Sequence, residues 1–336
     1  MVVNFKQWYV SFLEKDKKNA LEQIFYSILC FLSVIYKSVV ITRNFFYDKQ
    51  ILKSYHPKSK VISIGNISWA GSGKTSLSLW LYEKLAPSHK TAILRRGYGS
   101  DEGKLISETT KDVFSSIDRV SLIKDLQSSF DVFILDDGFQ YRKLKPNVNI
   151  VIMGAREFKR KHRLIPAYFF REPLESLKRA DILLLNYKEE FDDMVKVKAS
   201  IRNFAPNLKI YTCSYKPSKF LDLDGREMPF ESLATRRFAA FAAIGYPKGF
   251  FNKLKEAGLT PSEEIIYPDH HELTEKELKS LEEDLFSKGI GDLVITSKDK
   301  YHLPMYQTKL NIVVMNVEVK IDDEDIFLIN VRQTLA

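Results

Sequence analysis

The sequence predicts an α/β protein, with a parallel-sheet domain and a second, smaller α/β domain behind an N-terminal membrane-associated helix. Three observations predict it. Short β-branched runs alternate with helical stretches along most of the chain, the pattern of parallel sheets covered on both faces. A glycine-rich turn joins the first of these strands to the helix after it. An uncharged apolar run precedes both.

At 336 residues and 45% apolar content, the chain is long enough to bury two cores. Its 28% of charged residues and spread of aromatics exclude a disordered chain, and no internal repeat suggests a solenoid. The net charge of +8 favours an anionic partner, and the first sixty residues hold ten Lys and Arg against four Asp and Glu. Cys30 and Cys213 lie far apart without metal-ligand spacing, which fits a reducing compartment and excludes a disulfide scaffold or a cysteine zinc site. The polar first twenty residues read as lacking a secretory signal.

Residues 1–42 read as the membrane-associated helix. Ile24 to Tyr36 carry no charge, and Val39 to Ile41 follow Lys37. Thirteen helical residues span about 20 Å, and the run to Ile41 about 27 Å, against a hydrocarbon core of about 30 Å. The segment therefore either spans with tilt or lies among the headgroups, with Phe25, Tyr26, Phe31 and Tyr36 at the interface and Arg43, Lys49 and Lys53 beyond it. A buried core helix with a basic cap is the competing reading.

Residues 43–207 read as the larger domain. VISIG (61–65) is its first strand, Thr75 to Leu85 the helix behind it, TAILRRG (91–97) a second strand, and Val113 lies in a short third. Arg119 to Ser128 form a helix, DVFILDDG (131–138) a strand buried on both faces, and Val148–Met153 and ADILLLN (180–186) two more strands. A charged helical stretch runs from Tyr187 to Asn207. KIYTCSYKP (209–217) and KFLDLDGREM (219–228) read as extended ribbons, so residues 208–228 form a two-stranded linker. In 229–336 the order is strand FAAFAAIG (238–245), helix Pro247–Ala257, a strand at Ile265, helix Thr274–Lys288, strand DLVITS (292–297) and a last strand from Asn311. A cleft between the two domains is the expected place for a large substrate.

The turn after the first strand carries the chemistry. Gly71 and Gly73, with Ser72 between them, admit a phosphate close to the backbone, and the amides of a helix start face an anion. Lys74 reaches β- and γ-phosphates, and Thr75 offers a hydroxyl to Mg²⁺. The strict pattern has glycine where this chain has Ser68, but the strand before and helix after are both present. The first domain is thus P-loop NTPase-like, with ATP and Mg²⁺ as its cofactors. FILDD places Asp136 and Asp137 at the carboxyl end of a buried strand, on the side where such sheets bind ligands. Adjacent acids there repel without a cation, so both join Thr75 as metal candidates. The plain alternatives are a structural glycine turn and an ordinary Asp-Asp-Gly turn.

Further patches give the chain a resemblance. GNISWAGSGKT (65–75), RRGYG (95–99), DDGFQ (136–140), RLIPA (163–167), REPL (171–174), IGYP (244–247), PDHHELT (268–274) and TSKD (296–299) occur in the order and spacing of the tetraacyldisaccharide 4′-kinases, or lipid A 4′-kinases. The resemblance implies a kinase at the cytoplasmic face of the inner membrane, peripheral or held by a single N-terminal helix. It implies Mg·ATP as donor and the 4′-hydroxyl of an acylated glucosamine disaccharide 1-phosphate as acceptor, giving lipid IVA. It also assigns residues: Lys74 and Thr75 to phosphate and Mg²⁺, Asp136 and Asp137 to the metal network, Asp101 to the base, and His270 to tuning that acid. Gln140 falls among its substrate-side positions. Three departures are visible. Ser100 replaces the glycine before Asp101 and the stretch between RGYG and this acid is almost absent, Tyr141 stands where a histidine commonly follows the glutamine, and KRKHR (159–163) replaces a glycine-rich approach to the Leu-Pro.

Other residues keep two readings. Arg96 and Arg171 either grip substrate or nucleotide phosphates or form surface ion pairs. The run Arg156, Lys159, Arg160, Lys161 and Arg163 either faces lipid headgroups or a substrate phosphate, or is a solvated cluster; no nucleic-acid motif accompanies it. Asp101 is otherwise a solvated loop acid, and His270 and His271 a packed turn. Two other functions compete: a P-loop kinase for a soluble sugar or cofactor, and a nucleotide-dependent membrane switch. The adjacent Lys and Asp of TSKD lack the spacing of a guanine-reading motif.

Overall fold

In the computed structural model, the structure describes residues 5–69, 73–97, 101–159, 162–187 and 193–335, without the side chains of 5–7, 101, 102, 104, 156 and 159. The chain divides into two compact units. One comprises Val10–Tyr98, Ile106–Ser214 and Val319–Ala336; the other comprises Met1–Tyr9, Gly99–Leu105 and Tyr215–Glu318.

Helix α1 (Phe5–Glu14) is shared between the units, its residues from Val10 on belonging to the first, which continues with α2 (Ala20–Asp48). Where the sequence suggests one helix over residues 1–42, the structure has two, and the second runs on to Asp48. Asn19 and Glu22 form a capping box at the start of α2. Phe12 of α1 packs at 5.3 Å, ring to ring, against Phe25 of α2. The α2 helix has 29 residues, and its most apolar stretch is only 17% buried. Most of that stretch therefore lies on the surface of the chain rather than in a core. Leu29, Ser33, Val40 and Asn44 form the buried stripe, at helical spacing, and Ile24, Ile28, Phe31, Ile35 and Val39 remain exposed.

Strands β1 (Lys60–Gly65), β2 (Thr91–Arg95), β3 (Val113–Ser115), β4 (Val132–Asp136), β5 (Val148–Gly154), β6 (Ile182–Asn186) and β7 (Lys209–Leu221) follow. Their order is β7-β6-β5-β1-β4-β2-β3, with every neighbouring pair parallel. Helices α3 (Lys74–Leu85), α4 (Asp101–Thr109), α5 (Arg119–Leu126) and α6 (Met194–Phe204) lie between strands in the chain. Because β4 and β5 flank β1 on opposite sides, the chain crosses over at β1, and ligands of such sheets bind beyond that carboxyl edge. All five residues of β4 are buried, which is why its sequence is a continuous apolar run rather than an alternating one. Burying Phe133, Ile134 and Leu135 contributes about 1.5–3 kcal/mol each.

The second unit holds β8 (Glu227–Met228), α7 (Phe230–Ala234), β9 (Phe238–Ala242), α8 (Pro247–Glu256), β10 (Glu263–Ile266), α9 (Glu275–Ser287), β11 (Asp292–Thr296) and β12 (Asn311–Ile321). Its strands run β10-β9-β11-β12, parallel throughout. The sequence reading of two ribbons resolves differently. β7 continues through Pro217 to Leu221 as one strand of 13 residues, and of the second ribbon only Glu227 and Met228 pair back on it. A last helix, α10 (Glu324–Gln333), absent from the sequence reading, buries Phe327, Leu328 and Val331 in the first unit.

Candidate functional site

The site is built where β1 and β4 end. Ile64 and Asp136 are register partners, so the acids leave the sheet beside the strand that leads into the glycine-rich turn. Gly65 is required at this junction, because a Cβ there would lie 2.5 Å from Phe139 Cβ. Gly71 and Ser72 lie outside the described residues. Gly73 stands just before α3 at φ 88°, a left-handed conformation that favours glycine. Ser68 takes no left-handed backbone, so a side chain is tolerated where the strict pattern has glycine. It is buried and bridges to Phe170.

Lys74 and Thr75 open α3, with Thr75 buried. Ser78, one turn further on the same face, donates to Asp136 Oδ1 at 3.1 Å. That bond turns the face carrying Thr75 toward the buried Asp136 carboxylate. Asp137 follows at φ 51°, a conformation uncommon outside glycine but accessible to Asp. Lys74 Nζ stands 3.7 Å from Asp137 Oδ1. Arg171 binds Asp137 with both arms, Nη1 to Oδ2 at 3.0 Å and Nη2 to Oδ1 at 2.9 Å. Burial pushes the Asp137 carboxyl up, but the Arg171 hydrogen bonds and charge, with Lys74 and Arg119, outweigh it and hold the carboxyl below its ordinary range.

Arg171 also holds the turn: its Nε donates to Ser68 O at 3.1 Å and its Nη2 to Asn66 Oδ1. Gln140 donates to Asn66 O at 2.9 Å, and its Oε1 is buried without a hydrogen-bond partner among the described residues. Arg96, just past β2, is exposed. Arg119 was not singled out in the sequence, yet it is buried with Nη1 3.4 Å from Asp136 O. Its guanidinium lies 4.0 Å over the Tyr141 ring, so the tyrosine that departs from the family pattern serves as its platform. Burial lowers the Arg119 pKa.

The fit to a divalent cation rests on these donors. Among the described residues no cluster of three His, Cys, Asp or Glu could hold a metal. Mg²⁺, however, takes one or two carboxylates, keeps waters and completes its shell with substrate phosphates. A buried hydroxyl and carboxylate on facing elements, Thr75 and Asp136, suit that requirement.

In the second unit, His270 adopts φ 60° and its N–H donates to Ala243 O at 2.9 Å. Its Nε2 lies 3.8 Å from Asp269 Oδ1, and its side chain is 56% exposed. Asp299, the last residue of TSKD, accepts from Ala243 N at 3.0 Å and from Thr296 Oγ1 at 2.6 Å. The motif therefore fastens the strand end that carries His270, a role its sequence did not announce. His271 instead meets Glu277 at 3.1 Å. Asp101 is the first residue of α4, and its side chain is outside the described set. Of the basic run, Arg160 and Lys161 lie outside the described residues, as do the side chains of Arg156 and Lys159. Arg163 reaches Cys30 Sγ and the Tyr26 ring on α2.

Comparison with known proteins gives a consistent result. The sequence profile of the family described as tetraacyldisaccharide-1-P 4′-kinase matches residues 25–336. A tetraacyldisaccharide 4′-kinase of Aquifex aeolicus is 32% identical over 321 residues, covering 87% of this chain and 94% of the relative. One from Elusimicrobium minutum is 32% identical over 346 residues, covering 92% and 91%. A crystal structure of the Aquifex aeolicus LpxK, an "apo" form in complex with ATP, matches with a TM-score of 0.72 at 28% identity, over 93% of this chain and 100% of that chain.

Proposed function

The chain belongs to the tetraacyldisaccharide 4′-kinase family, and from that premise we propose that it transfers the γ-phosphate of ATP to the 4′-hydroxyl of an acylated glucosamine disaccharide 1-phosphate. The product is lipid IVA of lipid A biosynthesis. The observation that carries the reading is Lys74, Thr75, Asp136 and Asp137 at the shared carboxyl edge of β1 and β4.

In this reading the 4′-oxygen forms the new P–O bond as the bond to the β-phosphate oxygen breaks and ADP leaves. Lys74 binds the β- and γ-phosphates, exchanging its contact with Asp137 for them. Thr75 Oγ and the Asp136 carboxylate would hold Mg²⁺, with Asp137 organising the cations around it. The metal, when bound, neutralises charge developing on the transferred phosphoryl group. Gln140, Arg96 and Arg171 are the substrate-side candidates, and Arg171 acts through Asp137 and the turn at Ser68. Asp101 takes the hydroxyl proton, and His270, held by the Ala243 carbonyl, tunes that acid. The exposed apolar flank of α2 lies against the cytoplasmic face of the inner membrane, where the substrate resides.

The test is incubation of the protein with γ-labelled ATP, Mg²⁺ and the acylated disaccharide 1-phosphate in detergent. Labelled lipid that disappears with EDTA is expected. Bound nucleotide with no labelled lipid would contradict the reading. Asp101→Asn is expected to lose turnover while nucleotide affinity survives; equal loss of both would make Asp101 a nucleotide or metal ligand instead.

A further inference from the structure

Helix α2 is more than an apolar rod beside the kinase unit, because its buried stripe is polar where it meets the segment that ends in Arg171 and Glu172. Ser33 Oγ donates to Leu164 O at 2.7 Å, and the Tyr36 hydroxyl donates to Arg171 O at 3.1 Å. Asn44 Nδ2 donates to Glu172 Oε2 at 2.8 Å, and Arg179 Nη2 donates to the same oxygen at 2.5 Å. Arg43 stands 3.8 Å from the other oxygen. Glu172 is fully buried and Asn44 nearly so. A buried carboxylate is tolerated only while its partners stay in place, and α2 supplies two of the three.

One residue back along the chain, Arg171 closes both arms on Asp137 and braces Ser68 O. Its backbone N–H is fixed to Ile67 O at 2.7 Å. The seating of α2 and the placing of the Arg171 guanidinium are thus separated by a single peptide unit. A helix serving solely as an anchor would need none of these polar contacts, since apolar packing would hold it.

We propose that Glu172, gripped by Asn44, is a positioning residue that ties helix α2 to the Arg171 clamp on Asp137. The membrane-facing helix is then a structural part of the phosphate site. The inference rests on the kinase reading above and adds to it a dependence of turnover on α2 that is independent of membrane binding.

The experiment uses the full chain with ATP and acylated disaccharide 1-phosphate in detergent micelles, and the variants Asn44→Leu, Tyr36→Phe, Arg171→Lys and the two doubles with Arg171→Lys. Vesicle binding and thermal midpoints are measured alongside. Asn44→Leu is expected to lower kcat about tenfold and Tyr36→Phe about threefold, with KM for the lipid within about twofold and vesicle binding unchanged. Neither should slow the Arg171→Lys enzyme further. Should Asn44→Leu unfold the chain, Tyr36→Phe, which removes one hydroxyl, carries the same test. Additive losses in the doubles, a rise in KM alone, or losses that track the thermal midpoint would overturn the proposal and leave the kinase reading standing. Arg171→Lys with wild-type kcat would remove the clamp itself. Wild type without lipid product would remove the kinase reading.

Discussion

Asp137 and Asp299 both lie just past the carboxyl end of a parallel strand, and their surroundings push them in opposite directions. Burial raises both carboxyls. At Asp137 the guanidinium of Arg171 and the ammonium of Lys74 overcome it, and the carboxyl sits below its ordinary range. At Asp299 the Thr296 hydroxyl, the Ala243 amide and His302 do not, and the carboxyl sits above it. Full burial of Asp299 outweighs its hydrogen bonds and His302, whereas at Asp137, whose side chain is 41% exposed, a two-armed guanidinium and an ammonium prevail. The first arrangement suits a site that must manage phosphate charge. The second suits a brace, which here fastens the strand end beneath His270.

The largest effect should come from the cation nearest the reaction. Lys74→Ala is expected to lower kcat by about 10²–10³, the size found on removing one preorganised charge donor, read as initial rates with nucleotide saturating. A loss under tenfold would make the Lys74–Asp137 contact structural.

Next in size is a pair of opposite pH slopes. Asp137 has a folded pKa below the unfolded value of about 3.9, so it contributes stability above that pH and loses it as pH falls through its folded pKa. Arg171→Leu should abolish that contribution. Asp299 has a folded pKa raised above the same value, so its contribution is fully present below pH of about 3.9 and is lost as pH rises through the folded pKa. Asp299→Asn should flatten that second slope. Urea unfolding of the wild type and both variants between pH 3 and 7 checks the pair, and slopes of the same sign at the two residues would break the comparison.

The smallest effect concerns a thiol in the Asp299 situation. Burial, helped by the charge of Asp322, pushes Cys213 up to about 12. Cys213 should resist a thiol reagent at pH 8 in the folded protein and react after unfolding, while the partly exposed Cys30 reacts first. Equal labelling of both in the native state would contradict this.

Much of the first unit was legible because its signals are local. The short apolar run VFIL before two acids and a glycine reads as a strand covered on both faces, and GSGKT between a strand and a helix has few other uses. The unread parts depend on distance in sequence. Nothing near Arg119 says that Tyr141 will carry it, and nothing near Asn44 says that Glu172, 128 residues on, will need it. Lys37 and Arg43 ended the apolar count early, although a helix tolerates charges on its solvated sides, and α2 in fact continues to Asp48. The sequence suggests two ribbons, 209–217 and 219–228, yet β7 runs through Pro217 to Leu221 as one strand. For Asp101 and His270 the family pattern supplied the assignment, and the structure adds for His270 the brace at Ala243.

The most direct test of the central claim is mass spectrometry of the lipid recovered after incubation with ATP and Mg²⁺. A gain of one phosphate on the 4′-oxygen is expected, with the 1-phosphate retained and one ADP formed for each lipid. ATP consumed without phosphorylated lipid, or phosphate found on another hydroxyl, would contradict it.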